Sequence, residues 1–302
     1  MGSGGVGGYF GARLARAGYP VSFIARGPHL RAIQQRGLAV EAPDESFRIQ
    51  APATDSPAEI GPVDFVLFSV KLWDTKDAGL ACKPLIGPGT AVVSLQNGVD
   101  SEAVLQSVLG PDHVMGGVAE ISAAISTPGH IRKVSPFHRI RFGEMDRQRS
   151  ERSELFGQCL AQAGIAADQP DDIAVAIWNK FILLTGLSAM TAVTRMPIGE
   201  IRADPETRAL LEQIMAEVLA VAISQGIELD DGSIAMSMSF VDKLPGEVRA
   251  SMAVDLDQGR RLELPWLSGT VVRLGAEGGI PTPANAFVNT ALKLHAMGGS
   301  RS

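Results

Sequence analysis

The order of apolar and polar positions divides the chain into two parts, of which the first alternates apolar runs with helical stretches. Nearly continuous apolar runs predict strands at residues 21–25, 63–70, 91–95, 114–125 and 138–142, the last two flanking a turn at Thr127-Pro128-Gly129. Helical spacing predicts crossovers at residues 7–17, 29–36, 77–85 and 101–109. Runs of this kind are typical of parallel strands that are covered on both faces. The first part therefore predicts an open α/β domain over residues 1–168.

The second part shows helical periodicity throughout. At Asp204-Pro205-Glu206, an Asp can cap a helix, a Pro fits its first turn, and an acid suits its positive end. Apolar residues then recur at helical spacing over residues 210–222, and Gly226 ends the pattern. Residues 169–302 are predicted to be an all-α domain, with the boundary near Gln169-Pro170.

Composition narrows the class of protein. With 302 residues and a formal net charge of −6, neither nucleic acid nor an anionic membrane is expected as the main partner. The apolar runs are shorter than the ~20 residues needed to cross a bilayer, and the first residues do not resemble a signal peptide. Two cysteines are too few for a disulfide framework, and the five histidines show no metal-ligand spacing. The expectation is a cytoplasmic protein without a metal site.

A glycine-rich segment opens the chain. Gly2-Ser3-Gly4-Gly5-Val6-Gly7 fits the pattern G-x-G-x-x-G and runs directly into a predicted helix. In dinucleotide-binding folds, the first glycine makes a tight turn, the second lets the pyrophosphate approach, and the third allows close packing of the helix. These six residues are therefore candidates for holding the phosphates of a dinucleotide.

The same pattern normally follows a strand, and here only Met1 precedes it. The strand that leads into such a loop usually lies at the centre of the sheet. One hypothesis is that Met1 is the last residue of that strand and that about six upstream residues are missing. The alternative is a natural protein with an incomplete sheet.

Arg26 follows the second apolar run of the α/β part. Sites specific for NAD place an acid near this point to hold the ribose 2′-hydroxyl, whereas an Arg suits a 2′-phosphate. Arg26 therefore favours NADP, with an ordinary surface Arg as the alternative.

Several later motifs together resemble the ketopantoate (2-dehydropantoate) 2-reductase family over nearly the whole chain. They are Val70-Lys71, Leu95-Gln96-Asn97-Gly98-Val99, Trp178-Asn179-Lys180-Phe181, Ser251, the segment of residues 260–269 with Glu263, and the segment of residues 279–285. The resemblance implies a Rossmann-type N-terminal domain with its first strand truncated, a helical C-terminal domain, and a homodimer. It also implies an NADP-dependent oxidoreductase that uses NADPH to convert a 2-oxo acid to its hydroxy acid. The first candidate reaction is the conversion of ketopantoate to pantoate, a precursor of coenzyme A.

Lys180 matches the family's catalytic lysine, which acts as general acid. Reduction of a ketone by hydride leaves an alkoxide that must be protonated, and a lysine in apolar surroundings gives up a proton more readily than one in water. Lys180 lies among Trp178, Phe181 and Ile182, where an unpaired ammonium is costly. A lysine that extends along the helix edge to solvent is the alternative.

Four other residues match family positions around the substrate and cofactor. Glu263 matches an acid that orients the substrate or the lysine, and Asn97 an amide that contacts both cofactor and substrate. Lys71 matches a residue near both, and Ser251 one that binds the substrate carboxylate. The alternatives are a solvated helix carboxylate for Glu263, a turn residue for Asn97, and surface residues for Lys71 and Ser251.

The chain departs from the ketopantoate pattern on the helix of Lys180. The pattern has Asn four and eight residues after the lysine, on one helix face, and this chain has Leu184 and Ser188. Ser188 stays a candidate substrate-binding residue, but a lost amide removes about 1–3 kcal/mol of binding to a polar substrate. Two further functions therefore remain open: a family reductase for another 2-oxo acid, and an inactive NADP(H)-sensing protein.

Overall fold

The computed structural model describes residues 1–299. They divide into two compact units, Met1–Ala176 and a second that begins at Ile177. The first unit carries the strands and the second is helical. The predicted combination of an α/β domain with an all-α domain is confirmed.

The first unit contains five complete helices and eleven strands among the described residues. The helices are α1 (Gly5–Arg16), α2 (Gly27–Arg36), α3 (Thr75–Ala81), α4 (Ser101–Leu109) and α5 (Glu151–Gln162). The strands are β1 (Phe23–Ile24), β2 (Leu38–Glu41), β3 (Ser46–Ile49), β4 (Ala53–Thr54), β5 (Phe65–Phe68), β6 (Ala91–Ser94), β7 (Val114–Glu120), β8 (Ala123–Thr127), β9 (His130–Lys133), β10 (Arg139–Glu144) and β11 (Ala166–Asp168).

These strands form three sheets. A five-stranded sheet has the order β11-β10-β7-β6-β5, in which β5, β6 and β7 are parallel. β1 and β4 form a parallel pair, and the third sheet has the order β3-β2-β9-β8. All four residues of β6 are buried, as expected for a parallel strand covered on both faces.

Alternation along β6 explains how the core is divided. Ala91 and Val93 belong to one buried cluster, which contains Tyr9 and Phe10 of α1. Val92 belongs to a second cluster with Val66 and Phe68 of β5. Because successive side chains of a strand point to opposite faces, each face of the sheet carries its own hydrophobic core.

The prediction of one strand over residues 114–125 is wrong. The chain leaves the five-stranded sheet after Glu120, the last residue of β7, and enters a separate sheet at Ala123, the first residue of β8. The Ser122 N–H donates to Oγ of Ser135 at 3.0 Å, and the Val134 N–H donates to the Ser122 carbonyl at 2.9 Å. At Ser122 these two bonds take the place of the regular hydrogen bonds between neighbouring strands. Because the apolar pattern continues through this position, the pattern alone could not show where the strand ends.

The helical unit contains α6 (Ile173–Thr194), which begins before the unit boundary, and six further α-helices among its residues up to 299. They are α7 (Ile198–Ala203), α8 (Pro205–Ser224), α9 (Gly232–Lys243), α10 (Ser251–Asp257), α11 (Ser268–Gly278) and α12 (Pro283–Leu292). The predicted start of α8 is confirmed: the Asp204 carboxylate accepts the Thr207 N–H at 2.8 Å, and Pro205 is the first helical residue. Gly226, at φ 79°, follows the helix end as expected.

One charge in the helical core has a structural role that the sequence did not reveal. The buried Glu217 on α8 accepts the backbone N–H groups of Ala284 and Asn285 at 2.8 and 2.9 Å and the Asn285 amide at 2.8 Å. Its carboxylate thereby caps the first turn of α12, where orphan N–H groups and the helix dipole favour an anion.

Among the described residues, α6 is long and apolar enough to cross a membrane by length and composition. The sequence analysis considered only unbroken apolar runs, and in the 22 residues of α6 such runs are separated by polar residues and by one charge, Lys180. Of its most apolar window, 61% is buried inside the fold. A core helix of a soluble protein has this character.

Candidate active site

The glycine loop has the three different environments that a phosphate-binding turn requires. Gly2 adopts φ 85°, a conformation that favours glycine. A Cβ on Gly7 would lie 2.2 Å from the Ser69 hydroxyl and 2.5 Å from the Gly2 carbonyl, whereas a Cβ on Gly4 would meet nothing within 4 Å. The first glycine therefore makes the turn, the last allows close packing, and the middle one faces open space.

The start of α1 supplies the anion-binding end of this loop. The helix begins at Gly5 with Gly4 as its N-cap, and no side chain caps it. Its first turn contains no acidic residue. N–H groups and the positive end of the helix dipole are thus available for a phosphate. Gly5 packs against β8, since a Cβ there would lie 2.0 Å from the Ala123 carbonyl.

Two side chains that the sequence analysis missed hold the loop. The Ser69 hydroxyl, just after β5, donates to the Gly2 carbonyl at 2.8 Å. The His29 ring of α2 lies with Nε2 2.9 Å from the Ser3 carbonyl, and its Nδ1 accepts the Gly129 N–H at 3.0 Å. The Nε2–H tautomer satisfies both bonds, and burial lowers the pKa of His29.

Arg26 lies at the carboxyl end of β1 and is the N-cap residue of α2. Its backbone is extended, at φ −134° and ψ 158°, and the residue is exposed. A guanidinium in this position is accessible to a ligand phosphate in solution.

Lys71 and Asn97 follow the ends of the neighbouring strands β5 and β6. Lys71 is exposed, with Nζ 5.6 Å from the centroid of the Trp73 ring, and Asn97 is half-buried. The buried Gln96 amide, which the sequence did not single out, donates to the Val70 carbonyl and to the Thr75 hydroxyl, both at 2.9 Å. Gln96 thus ties together the two strand ends that carry Lys71 and Asn97.

The first unit places its predicted site residues at strand ends in two sheets. Lys71 and Asn97 follow the carboxyl ends of the adjacent parallel strands β5 and β6, the edge at which ligands bind in open α/β folds. Arg26 follows β1 of the two-stranded sheet. The start of the chain connects the two: the Ser3 N–H donates to the Ile24 carbonyl and the Ser69 N–H to the Met1 carbonyl, both at 3.0 Å.

In the helical unit, Lys180 lies in the first half of α6 and is half-buried. Trp178 and Phe181 beside it pack edge to face, with centroids 5.5 Å apart. Leu184 is half-buried and Ser188 is 1% exposed. Lys180, Leu184 and Ser188 follow one another at intervals of four residues and therefore share one face of the helix. The buried Ser188 hydroxyl has no hydrogen-bond partner among the described residues.

Glu263 and Ser251 occupy other segments of the helical unit. Glu263 is 7% exposed and lies just before the short helix Leu264–Trp266, so the alternative of a solvated carboxylate on an amphipathic helix is wrong. Ser251 is the exposed first residue of α10. Among residues 1–299, no group of three or more His, Cys, Asp and Glu side chains could hold a metal ion.

Comparison with known proteins decides the family. The family model described as "Ketopantoate reductase PanE/ApbA" matches residues 1–147, and its C-terminal counterpart matches residues 172–296. The chain belongs to the ketopantoate reductase family. The resemblance predicted from the sequence motifs is confirmed.

Individual relatives agree with this assignment to an oxidoreductase family. A 2-dehydropantoate 2-reductase of Mesorhizobium japonicum is 33% identical, over 94% of this chain and 92% of the relative. The crystal structure of a PanE/ApbA family ketopantoate reductase from Ralstonia eutropha JMP134 is 32% identical with a TM-score of 0.90, and covers 98% of this chain and 97% of that one. A D-mandelate dehydrogenase solved with NADH and anilino(oxo)acetate shares the fold at 21% identity and a TM-score of 0.89, over 98% of this chain and 96% of that one.

Proposed function

We propose that this ketopantoate reductase family member reduces a 2-oxo acid with NADPH, with 2-dehydropantoate as the first candidate substrate and pantoate as its product. The observation that carries the proposal is the glycine loop. Its tight turn at Gly2, open space at Gly4 and close packing at Gly7 have the geometry that a dinucleotide pyrophosphate needs.

Residues of the first unit would hold the cofactor. The loop of residues 2–7 and the N-terminus of α1 would bind the pyrophosphate, and the exposed Arg26 would bind a 2′-phosphate through a charge-assisted bond. Because no acid takes the place of Arg26, the site is suited to NADPH rather than NADH. Lys71 and Asn97 would contact the cofactor from the ends of β5 and β6.

A bound nicotinamide supplies the hydride that reduces the substrate carbonyl carbon. Lys180 would donate a proton from its ammonium group to the substrate oxygen as negative charge develops there, leaving a neutral amine that solvent reprotonates. Lys180 is half-buried on α6, beside the apolar rings of Trp178 and Phe181.

Other residues would position the substrate. A buried carboxylate at Glu263 is suited to orient a hydroxyl or the Lys180 ammonium. Ser251 would bind the substrate carboxylate with its exposed hydroxyl, and Ser188 offers a hydroxyl that lacks a partner. Asn97 would contact the substrate with its amide.

Leu184 favours a second candidate function, the reduction of a different 2-oxo acid. It stands where the ketopantoate pattern has an Asn and exposes only apolar atoms on the face of Lys180. A polar substrate group left without a partner there loses about 1–3 kcal/mol. A 2-oxo acid with a larger apolar group and fewer hydroxyls avoids this loss.

The proposal is tested by steady-state rates of NADPH and NADH oxidation with 2-dehydropantoate and a panel of branched and aromatic 2-oxo acids. We expect turnover of at least one acid, and kcat/KM at least about tenfold higher with NADPH than with NADH, which corresponds to ~1.4 kcal/mol. If another 2-oxo acid is turned over at least about tenfold faster than 2-dehydropantoate, the result supports the second candidate function, the reduction of that other acid.

Tight NADPH binding without turnover of any acid contradicts both candidates and identifies a sensing protein. The variant Leu184→Asn is the matched control for substrate choice. It should raise kcat/KM for 2-dehydropantoate relative to the apolar acids if the face of Lys180 contacts substrate.

A further inference from the structure

One face of α9 is exposed and apolar, and residues 232–240 of this helix include no charged side chain. The exposed positions recur at helical spacing and are Ala235, Met236, Ser239 and Phe240. Met236 exposes 55% of its surface and Phe240 exposes 40%. The exposed face of a helix is ordinarily polar or charged. This face of α9 therefore has the character of a contact surface.

The opposite face of α9 already packs within the helical unit. Ser237, Met238 and Val241 are buried, and the helix lies against α7 and α8. The exposed side of α8 has the ordinary polar character, with Glu206 and Glu212 exposed. The apolar face of α9 is thus separate from the core, and contact with a second apolar surface would remove it from water.

The order of large and small residues on α9 is suited to antiparallel pairing with the same helix of a second copy. When Met236 of one copy lies at the level of Ser239 of the other, Phe240 lies at the level of Ala235. Each level of the pair then contains one large and one small residue. This combination lets two helices approach closely without a gap or an overlap.

The charges at the ends of α9 agree with the antiparallel direction. Asp231 is the N-cap residue and Lys243 the last helical residue, and both are exposed. The same antiparallel register brings Lys243 of one copy to the level of Gly232 of the other, next to Asp231. The neighbouring Asp242 is already paired with the Arg208 guanidinium of its own chain, at 2.6 and 2.9 Å. A parallel pair would instead bring like charges together, which is unfavourable.

We propose that the exposed face of α9 binds the same face of a second copy of this chain, as an antiparallel pair of helices about a two-fold axis. The homodimer expected from the sequence then has its axis at α9. The 12 residues of α9 are about 18 Å long, and one such pair is smaller than a standard interface of about 1,200–2,000 Å². The dimer is therefore a weak one, with a Kd of about 1–100 µM.

The first experiment is sedimentation velocity of the full chain between about 1 and 500 µM, on both sides of that Kd. Ala235→Arg should raise the Kd at least about tenfold, because arginine fills the space that Phe240 of the other copy needs. Ser239→Arg, on the same face, should have the same effect. Ala209→Arg, at an exposed alanine of α8, is the matched control and should leave the Kd unchanged.

Two outcomes of this experiment overturn the proposal. One is a chain that stays monomeric at the highest concentration. The other is a dimer whose Kd neither Ala235→Arg nor Ser239→Arg changes, since association then uses another surface. All three variants replace an exposed small residue of a helix with a good helix former, so each should keep the thermal midpoint of the wild-type chain.

The second experiment tests the direction of pairing by oxidative cross-linking of two single-cysteine variants, Asp231→Cys and Lys243→Cys. In the antiparallel pair, identical positions lie more than about 15 Å apart, whereas position 231 of one copy lies beside position 243 of the other. A mixture of the two variants should therefore form cross-linked dimer at least about tenfold faster than either variant alone. The chain with neither substitution is the control for the half-buried Cys159.

Cross-linking of each variant alone as fast as of the mixture indicates a parallel pair and overturns the proposed arrangement. A mixture that cross-links no faster than the unsubstituted chain also overturns it. None of the proposed site residues lies on α9, and neither experiment measures turnover. The two experiments are therefore independent of the proposed reaction.

Discussion

Gly4 and Gly7 of the glycine loop differ in the space that surrounds them. Gly4 has φ −76° and ψ −158°, which any residue adopts, and nothing lies within 4 Å of a Cβ there. Gly7 has no room for a Cβ beside Ser69. We therefore expect the fold to require a glycine at position 7, and the proposed cofactor, rather than the fold, to require one at position 4.

The variants Gly4→Ala and Gly7→Ala separate these two needs. Gly4→Ala should change the thermal midpoint of the ligand-free protein little, because the lower entropy of the unfolded chain, worth about 0.4–1 kcal/mol, offsets a cost of about 0.5–1 kcal/mol for alanine at the N-cap of α1. It should weaken NADPH binding at least about tenfold, or ~1.4 kcal/mol. Gly7→Ala should lower both the midpoint and the affinity.

Calorimetric unfolding and fluorescence titration with NADPH measure the two quantities on each variant. Unchanged NADPH affinity in Gly4→Ala would show that the open space at Gly4 is not where the pyrophosphate lies.

The sequence predicted the residues that follow a known local spacing. It did not predict residues whose hydrogen-bond partners lie far away along the chain. The glycine spacing identified the loop, and the Asp204-Pro205 pair identified a helix start. Ser69 and His29 bond to loop carbonyls that lie 67 and 26 positions away in the chain. Nothing local to either residue indicates such a partner, so only the folded chain reveals them.

At the scale of elements, His29 connects three segments: α2, the glycine loop and the turn between β8 and β9. Burial lowers the pKa of His29 below the ordinary value of 6.5. As the pH falls, His29 is therefore protonated in the unfolded chain at a higher pH than in the folded chain. His29 therefore contributes stability that is fully present above pH 6.5 and is lost as the pH falls from there through its folded pKa.

The variant His29→Gln tests this connection, since glutamine does not titrate. The free energy of unfolding of the wild-type chain should fall more steeply than that of the variant as the pH decreases below 6.5, and the two slopes should agree between pH 7 and 8. Urea denaturation at each pH provides the measurement. Parallel slopes below pH 6.5 would remove His29 from this role.

Elements with long apolar runs were predictable and short polar strands were not. Residues 63–70 and 91–95 predicted β5 and β6, and residues 101–109 predicted α4, because burial on both faces or on one helical face imposes a clear pattern. β2, β3 and β9 have four residues each, with charges such as Glu41, Arg48 and Arg132 among them. Their pairing with each other forms a sheet that no local pattern indicates.

At the scale of the whole molecule, the two matching models of the ketopantoate reductase family cover residues 1–147 and 172–296, so that the family accounts for both units. The family resemblance could be recognised from the order of motifs along the chain, because each motif marks a strand end or a helix face. The departures at Leu184 and Ser188 were equally visible in the sequence. How Leu184 and Ser188 affect the choice of substrate depends on their contacts with a bound substrate. A sequence pattern does not specify such contacts.

In the proposed reaction, Lys180 supplies the proton to the substrate oxygen. This role is tested by the kcat of Lys180→Met on the best 2-oxo acid. NADPH affinity is measured on the same preparation, and the exposed Lys243→Met is the control for loss of a positive charge. We expect kcat to fall by about 10²–10⁴-fold, the usual contribution of general acid catalysis, with NADPH affinity and thermal midpoint unchanged. A Lys180→Met enzyme whose kcat stays within about threefold of the Lys243→Met control contradicts this role of Lys180.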